Sequence, residues 1–287
     1  MKRPQWITVA AALALTGVLY FFGRTVPAKK PIASTATEQH SPDDGHDHGG
    51  ISIDSILLLA KKQLKPEQAA ALGKLETAAA KEKVAEEQAH LYHLLARYWA
   101  DTARIFEPYA WYTAEAARLE NSEKSLTFAA HLFLENLQTD GAEQRRQWKA
   151  LQAKDLFERS LKINPGNDSS KVGLGACYLF GNISSNPLEG IAKIKEVVDR
   201  DSTNTYGQLT LAKGSLLSGQ YDKAISRLLT VTRLQPGNVE VLLLLADTYE
   251  RTGDKKSAVS WYRQCLGLVK EAELKKALQQ RIDELTK

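Results

Sequence analysis

The feature that most constrains this chain is a spacing of 34 residues that recurs toward its C-terminal end. Placing residues 205–238 over residues 239–272 aligns Leu211-Ala212-x-x-Ser215 with Leu245-Ala246-x-x-Tyr249. The same offset aligns Gly219 with Gly253, Ala224 with Ala258, and Leu228 with Tyr262. One unit earlier, Leu174-Gly175-x-x-Tyr178 precedes Leu211 by 37 residues, and the extra three fall in the turn "GNISSN". Ala153-x-x-x-Phe157 followed by Pro165 repeats the second half of the pattern further upstream. A fixed period of this length is the mark of one supersecondary unit stacked on copies of itself. It also explains Leu242 to Leu245, four leucines in a block too short to cross a bilayer and followed at once by charge. A helix that packs on its own partner and on both neighbouring units needs a wide apolar face.

These residues resemble the tetratricopeptide repeat: a small residue after a leucine, an aromatic three later, then Ala-x-x-x-Phe and a closing proline. Leu245, Ala246, Tyr249, Ala258 and Tyr262 fit it, with Leu242 in place of the usual tryptophan. Pro165 and Pro236 close their units, whereas Ser202 and Lys270 stand at that place in the other two. The resemblance is strong over residues 168–270 and weaker over 120–167. It implies an all-α fold, a right-handed superhelical solenoid of antiparallel helix pairs. Local signals agree. Gly219 and Gly253 stand where first helices end in a left-handed residue, and Asp254 is placed to cap the next helix. Asn186-Pro187-Leu188-Glu189 reads as an N-cap, a first-turn proline and a capping glutamate. Gly175 is a small residue for a tight crossing.

Residues 51–167 read as two or three helical hairpins of degenerate repeat character. One helix starts at Pro66 with a break near Ala79, a turn falls at Glu107-Pro108, and a new helix is capped near Asn121 or Ser122. Residues 271–287 carry Leu274, Leu278 and Ile282 on one side and charges on the other, a helix that closes the exposed end of a repeat array.

The N-terminus has another character. Lys2 and Arg3 precede eighteen uncharged residues from Trp6 to Gly23, and Arg24, Lys29 and Lys30 follow. As a helix this run rises about 27 Å, close to the roughly 30 Å hydrocarbon core. Trp6 and Tyr20-Phe21-Phe22 stand at its ends, where aromatics favour the interface. Residues 1–26 are therefore expected to form one transmembrane helix ahead of the solenoid. A cleaved signal peptide is the rival, with small residues at 26–28; Arg24 and the aromatics before it suit cleavage poorly. The repeat body is expected on the exported side. From 27 to 50 the chain turns to Pro, Ser, Thr, Asp, Gly and His, a flexible tether. His40, His46 and His48 beside Asp43, Asp44 and Asp47 make metal handling the alternative function, although a metal would have to order a floppy segment.

Composition narrows the rest. A net charge of +4 with no basic block and interleaved aromatics gives no case for nucleic acid. Cys177 and Cys265 are too few and too far apart for a disulfide framework. His90, His93 and Glu86 share a helical face, and Glu87-x-x-His90 matches half of a di-iron motif, but no second half exists. No His-Glu-x-x-His, Gly-x-Ser-x-Gly or phosphate loop is present, and "GLGACYLFG" holds its glycine for packing. His131 reads as a core histidine, and Tyr98, Trp99, Phe106, Tyr109, Trp111 and Tyr112 as the core of the first hairpin. No cofactor, metal site or catalytic residue is expected, and the chain is not read as an enzyme.

The resemblance also implies a ligand groove lined by first-helix residues just off the packing positions. Here these are Val172, Ala176, Leu179 and Phe180, then Leu209, Lys213, Leu216 and Leu217, then Leu243, Asp247, Glu250 and Arg251. Val172 and Ala176 replace the lysine and asparagine with which chaperone-binding members hold a C-terminal carboxylate. An amphipathic helix or an apolar extended segment of a partner protein is expected instead. Anchor and repeats together look like the accessory subunits of cytochrome c maturation and envelope assembly systems. The expected function is a membrane-anchored scaffold for protein–protein interaction in the cell envelope.

Overall fold

The computed structural model describes residues 51–184 and 186–287, which belong to one compact unit, Asp47–Lys287. The expected transmembrane helix and the His/Asp tether lie outside the described residues. Among the described residues no helix is long and apolar enough to cross a membrane. Thirteen α-helices and no strand are found there. They are α1 (Ile53–Lys61), α2 (Pro66–Lys81), α3 (Ala85–Arg97), α4 (Phe106–Glu120), α5 (Glu123–Leu137), α6 (Glu143–Ile163) and α7 (Asp168–Phe180). Then come α8 (Leu188–Arg200), α9 (Thr205–Leu217), α10 (Tyr221–Leu234), α11 (Val239–Arg251), α12 (Lys255–Leu268) and α13 (Ala272–Thr286).

The contacts are those of a helical solenoid. Consecutive helices pair as α3/α4, α5/α6, α7/α8, α9/α10 and α11/α12, and α13 packs on α12. First helices also stack on one another, α5 on α7 and α7 on α9. Each first helix from α7 onward opens on the same device. Asn167, Asn204 and Asn238 are N-caps whose side chains accept from the backbone N–H of Ser170, Gly207 and Val241 at 2.9, 2.8 and 3.2 Å. The turns that follow α9 and α11 pass through Gly219 and Gly253 with φ of +70° and +84°. A side chain is strained in that region, which is why glycine stands at both. Asp254 accepts from Ser257 N–H at 3.0 Å and starts α12 as expected.

The helices α7 and α8 cross at close range. A Cβ on Gly175 would lie 2.6 Å from the Gly190 carbonyl oxygen and 2.5 Å from Ile194 Cγ1. A Cβ on Gly190 would in turn meet the Gly175 carbonyl oxygen and Tyr178. The two backbones therefore touch, and both glycines are required for it.

Three local expectations need correction. Asn186 and Glu189 do not form a capping box: Pro187 is the residue ahead of α8, Asn186 Oδ1 accepts from Leu188 N–H at 3.2 Å, and Asn186 N–H goes to Ser184. Glu107-Pro108 is not a turn but the first turn of α4, where a missing N–H has no intrahelical acceptor to lose. The chain reverses instead at Arg104, held left-handed at φ 56° after one π-helical turn over Tyr98–Ala103. The break after Ala79 falls at Glu82–Val84, and Ser122 caps α5.

Leu242 and Leu245 are fully buried, and Leu243 and Leu244 half-buried, so the leucine block is covered on several sides. The aromatic cluster is packing: Trp99 is fully buried, Tyr112 nearly so, and Tyr98, Tyr109 and Trp111 lie against them.

Candidate protein-binding groove

Four first helices bring their C-terminal or N-terminal ends to one place. The ends of α5, α7 and α9 and the start of α11 surround a cavity of about 590 Å³. Its apolar surface comes from Leu137, Leu179, Phe180, Leu216, Leu217 and Leu244, and its polar edge from Gln138, Arg146, Lys213 and Glu240. Leu217 is 72% exposed, the largest fraction among the exposed large apolar side chains of the described residues. It is the last residue of α9, so it stands on the rim and is not shielded by a following turn.

A narrower cavity of about 230 Å³ continues the groove and shares Gln138, Phe180, Lys213 and Glu240 with the first. It is more polar, with His131, Glu135, Tyr206 and Thr210 around Ala176 and Leu209. His131 shares a hydrogen bond of 2.8 Å with Ser169 Oγ and lies edge-on to Phe157, and the Tyr206 ring is centred 5.5 Å from its own. Burial pushes its pKa below the ordinary value, against the opposing field of Glu135. The Tyr206 hydroxyl is buried without a hydrogen-bond partner among the described residues, and burial raises its pKa.

Charge on the groove is mostly satisfied at its centre and open at its edge. Lys213 reaches Glu240 at 2.7 Å, an ion pair that ties α9 to α11. Arg146 gives one long bond, 3.4 Å, to the Asp140 carbonyl. The groove can thus take an apolar side chain over Leu179, Phe180, Leu216 and Leu217, with a carboxylate tolerated beside Arg146.

Of the twelve residues expected in this groove, Leu179, Phe180, Lys213, Leu216 and Leu217 surround the larger cavity. Ala176 and Leu209 line the smaller one, Ala176 only as its nearly buried base. Val172 is displaced from the groove altogether. It is fully buried and packs with Ile194, Val197, Val198 and Leu211, because the close α7/α8 crossing turns that face of α7 inward. Leu243, Asp247, Glu250 and Arg251 also lie outside both cavities, and Glu240 and Leu244 take their place. Two of the four are engaged elsewhere: the Tyr262 hydroxyl donates to Asp247 and, at 3.0 Å, to Glu250, and Arg281 of α13 pairs with Glu250. Asp247 and Glu250 thus tie α11 to α12, and Glu250 also fastens the closing helix α13 to the array. Leu243 packs into the same C-terminal cluster.

Beside the groove lies a buried ion network that the sequence does not announce. Lys149, 1% exposed, donates to Asp140 at 2.5 Å and Asn136 at 2.7 Å and pairs with Glu107 at 2.9 Å. Arg145 grips Asp140 at 2.8 and 2.9 Å, and its hydrogen bonds hold the Asp140 carboxyl well below the usual range against the effect of burial. The other titratable candidates stand apart. His93 meets Glu120 at 2.5 Å on the surface, and among the described residues no cluster of His, Cys, Asp and Glu is arranged to hold a metal. Cys177 and Cys265 are buried and unpaired, and burial pushes the Cys265 thiol up to about 11.

Comparison with known proteins agrees with the helical-repeat fold. Residues 215–281 match the tetratricopeptide repeat family. No curated protein matches the chain. A tetratricopeptide repeat protein from Parabacteroides merdae ATCC 43184 has a similar fold, at 14% identity and a TM-score of 0.52, covering 81% of this chain and 86% of that one. MamA from residue 41 onward, of Desulfovibrio magneticus RS-1, aligns at 21% identity over 63% of this chain and 94% of its own, TM-score 0.44. YrrB, a TPR protein with an unusual peptide-binding site, aligns at 16% identity over 72% and 97%, TM-score 0.41. Residues 215–281 thus match the tetratricopeptide repeat, within a helical solenoid whose fold is similar to that of the Parabacteroides protein.

Proposed function

We propose that this protein is a non-enzymatic scaffold that holds a partner protein in the groove between α5, α7, α9 and α11. The observation that carries the reading is the apolar wall of Leu179, Phe180, Leu216 and the exposed Leu217 around one cavity. Exposed leucine at the rim of a concave, largely preformed site is the usual setting of a hydrophobic anchor residue. An amphipathic helix, or an extended segment with apolar side chains, supplies the matching surface. The apolar run from Trp6 to Gly23, flanked by basic residues, supports a membrane anchor, and residues 27–50 a tether that leaves the repeats free to meet a partner in the cell envelope.

The test is Leu216→Glu with Leu217→Ser, read by partner capture from solubilised membranes and by thermal melting together. The reading expects lost capture with an unchanged melt. Unchanged capture removes the groove from the account. For the anchor, the full chain stays with membranes after alkaline carbonate washing, and protease treatment of spheroplasts degrades the repeats from outside. Release into the wash would refute the anchor.

A further inference from the structure

A second groove, of about 790 Å³, lies along α10 and shares no lining residue with the first. Ile225 and Leu229 of α10 with Tyr249 of α11 and Trp261 of α12 make its apolar surface. Along α10 the groove is lined by exposed Asp222, Ser226 and Arg233 and half-buried Leu229, with steps of four, three and four residues. At 100° per residue these four fall within about 60° of one another, so they form one stripe along the helix. Asp222 is in the first turn and Arg233 in the last, and neither forms an ion pair among the described residues. Arg233 has only a 3.2 Å hydrogen bond to Thr230.

The spacing 4-3-4 is the same read in either direction, while the charge is opposite at the two ends. A second copy of α10 laid antiparallel therefore meets the first without mismatch. Asp222 falls opposite Arg233 of the second copy, Arg233 opposite its Asp222, and each Leu229 over the small Ser226 of the other. Both ion pairs form at once, because both helices hold their charges the same distance apart, about 16 Å. This is the self-complementarity that a two-fold interface requires, in which residue i meets j and j meets i. The helix dipole accounts for an acid at the start and a base at the end. It does not account for their sharing one face with a half-buried leucine in an aromatic-lined groove. We infer that α10 is a self-association surface and that two copies of this protein pair through it, back to back, leaving both partner grooves open.

The test is sedimentation of the full chain in mild detergent over a concentration series, with Asp222→Arg, Arg233→Asp and the double exchange. Each side chain is exposed, so circular dichroism should report an unchanged fold. The inference expects a dimer that either single reversal weakens by at least about tenfold, since symmetry turns two attractive pairs repulsive. The double exchange restores the pairing in reversed sense and returns dissociation to within a few-fold of the original. A monomeric parent chain overturns the inference and leaves the groove to another kind of protein. A dimer indifferent to the single reversals, or one that the double exchange does not restore, overturns it equally.

Discussion

Gly175→Ala adds one methyl group at the place where α7 and α8 touch, and its effect can be worked from the contacts. The new carbon would stand 2.6 Å from a backbone oxygen, that of Gly190, and 2.5 Å from Ile194 Cγ1. Carbon contacts are comfortable near 3.5 Å or beyond, so a gap of about 1 Å has to open. Ile194 is fully buried and cannot swing away, and the Gly190 oxygen moves only if α8 moves. Overpacking of this kind costs about 1–3 kcal/mol. Alanine's better helix propensity returns up to about 1 kcal/mol. Because neither neighbour can yield cheaply, the upper part of the overpacking range applies, about 2–3 kcal/mol. The net is a loss of about 1–2 kcal/mol, or roughly 2–8 °C in melting temperature for a body of this size. Gly175→Leu falls at or beyond the upper end. Gly190→Ala strikes the same crossing from the other side, and the two together should cost less than their sum because one separation relieves both. Gly73→Ala is the control: it lies within α2 with nothing within 4 Å of the added carbon, and should gain up to about 1 kcal/mol. Circular dichroism melts and urea titrations read the series. A Gly175→Ala protein that melts with or above the parent, while Gly73→Ala behaves as expected, would refute the close-crossing argument.

Two further outcomes follow from buried charge. Lys149→Met leaves Asp140 and Glu107 without their shared cation and should cost about 3 kcal/mol, the low end for breaking a buried pair because Arg145 still holds Asp140; Lys149→Met with Asp140→Asn should recover part of that loss in urea titration. His131 is held below its ordinary pKa, so below about pH 6.5 the unfolded chain binds a proton that the folded chain does not. Stability from this group is therefore present at neutral pH and falls as pH drops through that range, and His131→Gln should flatten the dependence there; a parent chain whose urea midpoint is constant from pH 7 to pH 5 would contradict it.

Much of this architecture was legible because the repeat ties distant residues to one spacing. Gly219 and Gly253 sit at equal offsets, and their left-handed backbone follows from being glycine at the end of a first helix. Asn204 and Asn238 stand 34 residues apart as well, and Asn167 stands at the longer offset, so the regular N-cap signal is also present in the sequence. The groove was legible only in part. Adjacent residues on a helix differ by 100° in direction, so a shift of one residue in the register of α11 exchanges Leu243 for Leu244. The burial of Val172 depends on how closely α7 and α8 approach, a property of Gly190 and Ile194 on a different helix. Lys149 reads from sequence as a solvated residue on a charged helix. Only the convergence of Asp140, Glu107 and Asn136, from three other segments, shows why it is buried. Glu107-Pro108 reads as a turn from sequence because proline serves both a turn and the first turn of a helix.

The groove itself is tested most directly by a photo-crosslinking residue placed at Leu217, on the rim of the cavity, and in a parallel chain at Leu188, which is 66% exposed and lines neither part of the groove. Substitution at either site should leave the melt unchanged, since both side chains already face solvent. Irradiation of intact cells should give a discrete adduct of one partner protein from Leu217 and none of it from Leu188, and Leu216→Glu on the same chain should abolish the adduct. Equal adducts from both positions, or none from Leu217 in cells where the partner is captured by other means, would contradict the account.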